Sequence, residues 1–216
     1  MLTTCAFCDE LQGGHENDFV KRYAGRLNSR VWLSAAHFVA MPSLGQLAAG
    51  HSLVIPRRHA LSLGHLDDSE LFELGKVKKL VATALEDEFA KPIWFEHGCV
   101  DDSSGGCGVS HAHLHALPVN YDLKVPDKLA RLFKGHRITG EGALRERISM
   151  GMPYLFYGAR DAGAEYMFEV DCLPSQFLRR IIAEELGIDR WDWRAAGYED
   201  SLVTAVRTLR SAQLGV

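Results

Sequence analysis

The sequence predicts an α+β protein with several short strands, one long helix and a C-terminal extension of mixed α/β character. Apolar residues recur at helical spacing through one long stretch, from Leu71 to Phe89. Short segments typical of strands, bounded by proline or glycine, lie on both sides of it. Three histidines at every second position, His111, His113 and His115, would share one face of a further strand.

The predicted elements of the first half follow in order along the chain. Strands are predicted on both sides of the long helix, at Val31–Leu33, His37–Met41, Gly50–Pro56, Ile93–Glu96 and Ser110–Pro118. The helix begins at the acidic sequence Asp67–Glu70, which is typical of a capped N-terminus. A loop rich in glycine, serine and aspartate, from Gly98 to Gly108, leads into the histidine segment.

After Pro118 the chain becomes more charged, and residues 119–216 are interpreted as an extension packed on a core module of residues 1–118. The extension is predicted to contain a weak helix at Pro126–Phe133 and a hairpin formed by Tyr154–Tyr157 and Tyr166–Val170. Two amphipathic helices are predicted at Ser175–Leu186 and Asp200–Gln213.

Composition excludes several classes of protein. The chain has 216 residues, 47% hydrophobic and 24% charged, which suits one domain or a domain with an appendage. A net charge of −4 gives no reason to expect duplex nucleic acid as a partner. No apolar run approaches the roughly 18 residues that span a bilayer, and the start of the chain lacks a signal-peptide pattern, so we expect a cytoplasmic protein without a membrane partner. The odd number of cysteines, five, argues against a disulfide framework. We therefore expect a close pair of cysteines to bind a metal ion.

The first such pair is Cys5 and Cys8, whose C-x-x-C spacing lets two thiolates reach one ion. Two histidines would complete a tetrahedral site, and His59 and His111 are the candidates. Alternatively the two cysteines are incidental thiols. A redox pair is not favoured, because no βαβ unit surrounds them.

The histidine row has three interpretations. The first is a catalytic row, because histidine serves near neutral pH as nucleophile, proton carrier or metal ligand. The second is a solvated strand face that is rich in histidine and has no function. A catalytic metal shared by His111, His113 and His115 stays open, although same-face strand residues lie about 6.6 Å apart and all three could chelate only with bending.

Two segments suggest phosphate binding. Backbone N–H groups of Gly105, Gly106, Cys107 and Gly108 could approach an anion closely. Ser175 is predicted to cap a helix that has Gln176 at its start and Arg179 and Arg180 one turn in, an arrangement that suits a phosphate tail. The alternative is a capped surface helix with solvated arginines. Three aromatic residues follow this helix: Trp191, Trp193 and Tyr198. We expect them to be buried anchors of the extension rather than a platform on which a base stacks.

The residues of the core module resemble the histidine-triad (HIT) superfamily. The segment His111–Leu117 matches its His-φ-His-φ-His-φ-φ motif, and Gly50–His59 resembles its G-H-x-L-V-x-P-x-x-H strand. The approach Gly105–His111 and the Cys-x-x-Cys start are similar to those of zinc-binding members. The resemblance covers roughly residues 5–118.

The resemblance implies a HIT-like fold, with an antiparallel sheet of about five strands crossed by the long helix. It implies that His113 attacks the α-phosphorus of a nucleotide-type substrate and that His115 donates to the phosphate or the leaving group. It also implies that His51 orients the phosphate or the histidine triad. It also implies a structural Zn²⁺ held by Cys5, Cys8, His59 and His111, and suggests a homodimer. The reaction would be hydrolysis, or alternatively transfer or phosphorolysis through the same intermediate.

Two departures from the family leave the leaving group open. Several members carry a serine where this chain has Gly108, and an asparagine on the preceding strand where it reads Phe95-Glu96-His97. Glu96 and His97 could take over a polar role or form a structural pair. A non-catalytic nucleotide-binding module that keeps the fold is therefore a third hypothesis.

Overall fold

The computed structural model describes residues 5–101, 108–161, 163–195 and 199–214. Within them, eight strands form one antiparallel sheet: β1 (Leu33–Ser34), β2 (Phe38–Pro42), β3 (Ser52–Pro56), β4 (Pro92–Gly98), β5 (Leu114–Pro118), β6 (Gly135–Ile138), β7 (Tyr154–Gly158) and β8 (Glu165–Glu169). Their order across the sheet is β1-β2-β3-β5-β4-β7-β8-β6. The α+β class is confirmed, and residues 1–118 contain the five strands expected of the core, β1 to β5. Strands β7, β8 and β6 of the extension pair onto β4 and continue the sheet.

Seven helices accompany the sheet in the described residues: α1 (Ala6–Leu11), α2 (Asp18–Tyr23), α3 (Asp68–Glu88), α4 (Val125–Ala130), α5 (Gly142–Ser149), α6 (Phe177–Glu185) and α7 (Glu199–Leu214). Helix α3 is the predicted long helix. Asp67 caps it in a reciprocal capping box with Glu70, as the acidic start indicated. In the described part of the chain, no helix is long and apolar enough to cross a membrane.

Alternation along β5 assigns its side chains to two faces of the sheet. Leu114 and Ala116 pack in one hydrophobic cluster with residues of α3, such as Leu74 and Val81. Leu117 packs in a different cluster, with residues of α4 and α6. Because side chains alternate along a strand, His115 shares the face of Leu117. His115, the candidate histidine on β5, therefore lies on the face opposite the long helix.

The predicted histidine strand is wrong in its first part, because β5 begins only at Leu114. The backbone N–H of His111 bonds to the Val109 carbonyl, and that of Ala112 bonds to the Ala60 carbonyl, so this stretch follows a turn. Its expected neighbour β3 ends at Pro56, which has no N–H to donate to a sheet partner.

Candidate functional site

The four predicted metal ligands lie together at the start of the histidine row. One ligand atom from each lies within 4.8 Å of the others, in the cluster Cys5, Cys8, His59 and His111. His111 Nδ1 is 3.3 Å from Cys5 Sγ and 3.5 Å from Cys8 Sγ, and His59 Nδ1 is 3.4 Å from Cys8 Sγ. Zinc bonds of about 2.3 Å to sulfur and about 2.0 Å to nitrogen, arranged tetrahedrally, would separate such atoms by roughly 3.5 Å. The cluster therefore has the spacing of a zinc site.

The chemistry of these donors also fits a metal ion. His111 Nε2 lies 2.9 Å from the Pro56 carbonyl oxygen, which can only accept, so Nε2 carries the proton and Nδ1 offers a lone pair to the cluster. Burial and the neighbouring Cys5 sulfur raise the pKa of Cys8 to about 11. The Cys8 thiol therefore resists ionisation unless a cation lies beside it. In the described residues, no such cluster includes His113 or His115, so the geometry gives no support to a shared catalytic ion.

His113 lies next to this cluster, and the ring of Phe7 touches both His111 and His113 edge-on. His113 Nδ1 is 2.6 Å from the carbonyl oxygen of His111, so it must be the protonated, donating nitrogen. Nε2 then keeps its lone pair. Burial lowers the pKa of His113 below the ordinary 6.5, which favours the neutral ring at pH 7.

The tautomer of His115 is fixed from behind by His51. The N–H of Leu47 donates to His51 Nδ1 at 3.3 Å, so His51 Nε2 carries the proton. That nitrogen lies 3.0 Å from His115 Nδ1, which accepts, and His115 Nε2 is therefore protonated. Burial lowers the pKa of both rings well below 6.5, so the pair is neutral near pH 7. Phe95 stacks on the His115 ring with 4.3 Å between centroids.

His113 and His115 line a cavity of about 60 Å³. Pockets that enclose a drug-sized ligand hold roughly 300–1,000 Å³, so this cavity suits one phosphate-sized group rather than a whole nucleotide. Aromatic side chains form much of its wall: Phe7, Phe95, Phe177 and Trp193. His51 is fully buried and acts on the cavity only through His115.

Two buried arginines line the same cavity, but only one of them is neutralised. Nε and Nη2 of Arg30 each lie 2.7 Å from an oxygen of the Glu10 carboxylate. Arg179, within the described residues, donates only to the carbonyls of Gly45 and Trp191, and its Nη1 has no partner. In the described residues, the cavity wall therefore carries one guanidinium group, that of Arg179, without a bonded carboxylate.

Gln176 reaches the cavity wall, whereas Ser175 is exposed. The prediction that Ser175 caps the helix is wrong, because α6 begins at Phe177 and Gln176 takes the capping position. Gln176 has a left-handed backbone, with φ 63° and ψ 24°, and no side-chain hydrogen bond caps the helix. Its amide instead bonds to Asp192 Oδ1 and to the N–H of Trp193. This residue therefore connects the start of α6 to the segment that holds Arg179.

Comparison with known proteins finds one matching domain family. A model described as the HIT domain matches residues 26–121. This part of the chain, 96 of its 216 residues, is similar to the HIT domain. The chain is 29% identical over 116 residues to an uncharacterised HIT-like protein of Mycoplasma genitalium, covering 54% of this chain and 73% of that protein. It is 29% identical over 100 residues to Protein hit of Bacillus subtilis, covering 46% of this chain and 68% of that protein.

Among solved structures, the chain is similar to a hypothetical histidine triad nucleotide-binding protein from Sulfolobus tokodaii. The identity is 27% and the TM-score is 0.39, with 53% of this chain and 68% of that chain covered. The matched HIT domain contains all the candidate histidines, while Cys5, Cys8, Gln176 and Arg179 lie outside its range.

The structure gives a physical reason for the glycine that departs from the HIT pattern. Gly108 has φ +73°, and a Cβ there would lie 3.2 Å from Ser175 Oγ and 3.3 Å from Arg194 Nη2. A serine at this position would be strained and would press on the extension. The other predicted phosphate-binding positions of this loop, Gly105, Gly106 and Cys107, lie outside the described residues.

The second departure places two polar residues on opposite faces of β4. His97 lines the same cavity as His113 and His115. Glu96 points to the α3 side, where the N–H of Leu63 donates to Oε1 and the Tyr154 hydroxyl bonds Oε2. Glu96 is therefore part of the hydrophobic interior and does not reach the cavity.

Sequence reasoning missed several residues that shape the site. Phe95 could have been found, because alternation along β4 places it on the face opposite Glu96. The carbonyls of Gly45 and Trp191 carry no side-chain signal. Trp191 and Trp193 do pack against hydrophobic clusters, as anchors, but Trp193 also forms cavity wall, and Tyr198 lies outside the described residues.

Proposed function

We propose that this protein hydrolyses a nucleotide-type substrate at its α-phosphate, through a covalent nucleotidyl intermediate on His113. The bond broken is a phosphoanhydride, phosphoester or phosphoramidate. The carrying observation is the hydrogen bond from His113 Nδ1 to the His111 carbonyl, which leaves an unprotonated Nε2 on a ring that lines a phosphate-sized cavity. A neutral imidazole is a good nucleophile near pH 7, and two steps divide one high barrier.

In the first step, the Nε2 lone pair of His113 forms a bond to phosphorus, and the bond to the leaving group breaks with its electron pair. The His111 carbonyl accepts from Nδ1–H and stabilises the positive charge that develops on the ring. His115 Nε2–H donates to an oxygen of the phosphoryl group. In the second step a water oxygen attacks phosphorus, the P–N pair returns to Nε2, and the water proton passes to solvent, which yields a nucleoside monophosphate.

We also propose that Cys5, Cys8, His59 and His111 hold a structural zinc ion. Zinc bound there would cross-link the start of α1 to the residues after β3 and to the histidine row. Four protein ligands leave no open position for substrate. The support is the tautomer of His111 and the spacing of the four ligand atoms.

Trapping the intermediate tests the proposed nucleophile. The purified protein is pulsed with dinucleoside polyphosphates and nucleoside phosphoramidates, then analysed by intact mass. We expect wild type to gain one nucleotidyl group, and His113→Asn to gain none and lose activity by at least about a thousandfold. Wild-type turnover in the variant would contradict the nucleophile, while no adduct and no turnover with any substrate would favour a binding module. Adding inorganic phosphate separates the reactions, because a phosphorylase would then release nucleoside diphosphate.

A further inference from the structure

Arg179 is a buried cation with unused hydrogen-bond donors. A guanidinium group has five N–H donors. Nε–H is directed at the Trp191 carbonyl (3.2 Å), and Nη2 at the carbonyls of Gly45 (2.6 Å) and Trp191 (3.1 Å). These bonds use three donors, and Nη1 is shielded from solvent with no partner. Two donors therefore remain, on a side chain that is 4% exposed.

Within the described residues, Arg179 is also not bonded to any carboxylate. The negative charge of Asp192 acts on it, but Asp192 Oδ1 accepts from Gln176 Nε2 and from the N–H of Arg194. The other arginine of the cavity, Arg30, shows the alternative arrangement, with a carboxylate bound to two of its nitrogens. Because burying an unpaired charge is costly, the fold retains at Arg179 a group that is satisfied only when an anion binds.

We propose that Arg179 is a catalytic residue, which binds through Nη1 the phosphoryl group that His113 attacks. This inference rests on the proposed function and deepens it. His113, His115 and Arg179 line one cavity, so a phosphoryl group bound beside His113 shares that cavity with the His115 ring and the Arg179 guanidinium group. Negative charge on the phosphoryl oxygens is stabilised in the transition state by a cation that three main-chain hydrogen bonds already hold in place.

The assignment changes the role of the C-terminal extension. Arg179 lies 58 positions beyond the last matched residue of the HIT domain, residue 121. Its main-chain partners come from the loop after β2 and from the segment after α6. The extension is therefore part of the active site, and the HIT domain alone lacks the cation.

The test compares Arg179→Gln and Arg179→Lys with the neighbouring Arg180→Gln. Arg180 is exposed, and its guanidinium carbon lies 6.0 Å from the centre of the Phe177 ring. It therefore provides a matched control for charge and for position in the helix. Two quantities are measured: binding of inorganic phosphate and the rate of nucleotidylation of His113. We expect Arg179→Gln to bind phosphate at least tenfold more weakly and to react at least a hundredfold more slowly. Arg179→Lys should lose less, and Arg180→Gln should match wild type.

Folding and the proposed reaction are checked separately. Thermal unfolding and zinc content show whether each variant is folded. If Arg179→Gln does not fold, titration of wild type with phosphate decides the question, because the ¹⁵N signals of the Arg179 guanidinium should shift while those of Arg180 stay fixed. Unshifted Arg179 signals, or a folded Arg179→Gln that binds phosphate and reacts like wild type, would overturn the proposal. Phosphate binding at Arg179 without any adduct on wild-type His113 would instead defeat the proposed function alone.

Discussion

At the residue scale, His111, His113 and His115 present different atoms to their surroundings because each ring has a different fixed partner. The Pro56 carbonyl leaves His111 with a lone pair on Nδ1, and the His111 carbonyl leaves His113 with one on Nε2. His51 makes His115 a donor through Nε2. In the proposed mechanism, single hydrogen bonds thus suit chemically identical side chains to the different roles of ligand, nucleophile and donor.

Replacing His51 tests this control of His115. In His51→Phe, the Leu47 N–H and His115 Nδ1 lose their partner, so the His115 tautomer is no longer fixed. We expect turnover to fall about a hundredfold, as for loss of one oriented donor. The ¹⁵N spectrum should show His115 changing from its Nε2-protonated form. His136→Phe, at a partly exposed site on β6, is the control, and unchanged turnover with an unchanged His115 spectrum would contradict the relay.

Glu96 makes a prediction about stability. Burial raises its pKa to about 8, although bonds from Tyr154 and the Leu63 N–H lower it. Between about pH 4.5 and 8 the folded state therefore holds a proton that the unfolded chain has released, and the contribution of Glu96 to the free energy of unfolding decreases as pH rises through this window. At about 1.4 kcal/mol per unit, the decrease is at most a few kcal/mol.

Urea unfolding at pH 5 and pH 8 measures this effect. Glu96→Gln, which does not titrate, should lose less stability between these pH values than wild type does. Glu86→Gln, at an exposed position of α3, should behave like wild type. An equal loss in Glu96→Gln and wild type would show that the carboxyl is already ionised at pH 5.

At the scale of elements, the short helix α1 connects the cluster of candidate metal ligands to the cavity. It has only six residues, too few to be stable in isolation. Phe7 packs with β-sheet residues such as Met41 and Ile55, and its ring contacts both His111 and His113. The position of α1 therefore depends on this packing and on whatever holds Cys5 and Cys8 to the histidines.

Removing one sulfur tests that dependence. Cys8→Ser should purify without zinc and unfold at a lower temperature, and a chelator should lower the Tm of wild type but not of the variant. His113→Asn should keep a full equivalent of zinc. Metal analysis and thermal unfolding provide both measurements. Loss of zinc from His113→Asn would favour a metal shared along the histidine row instead.

The elements that the sequence predicted well are those whose signals are local. Helix α3 followed from its periodicity and its Asp67 cap, and the hairpin β7–β8 from two aromatic runs around a glycine-containing turn. Helices α1, α2 and α5 and strand β6 were missed, because they are short and polar and are held by tertiary packing. The cap at Ser175 failed because Gln176 is held in a left-handed conformation by a segment 16 residues away.

At the scale of the whole molecule, the residues proposed for catalysis and metal binding were predictable from motifs, whereas the shape of the site was not. The motif histidines lie in one matched domain, but the cavity needs Phe7 from the start of the chain and Trp193 from near its end. Strand β7 extends the sheet by pairing with β4 about 60 positions earlier, for example Tyr157 beside Phe95. No local pattern specifies such pairings.

The hydrogen bond from Arg179 to the Gly45 carbonyl spans 134 positions of the chain. On a ribosome, the histidine row emerges more than sixty residues before Arg179 and about eighty before Trp191, so the proposed zinc ion could bind to the growing polypeptide before the cavity is complete. Contacts this distant in sequence form late in folding, after the entropy of closing a long loop has been overcome. A nascent chain would thus remain unable to react with cellular nucleotides until its C-terminal half has docked.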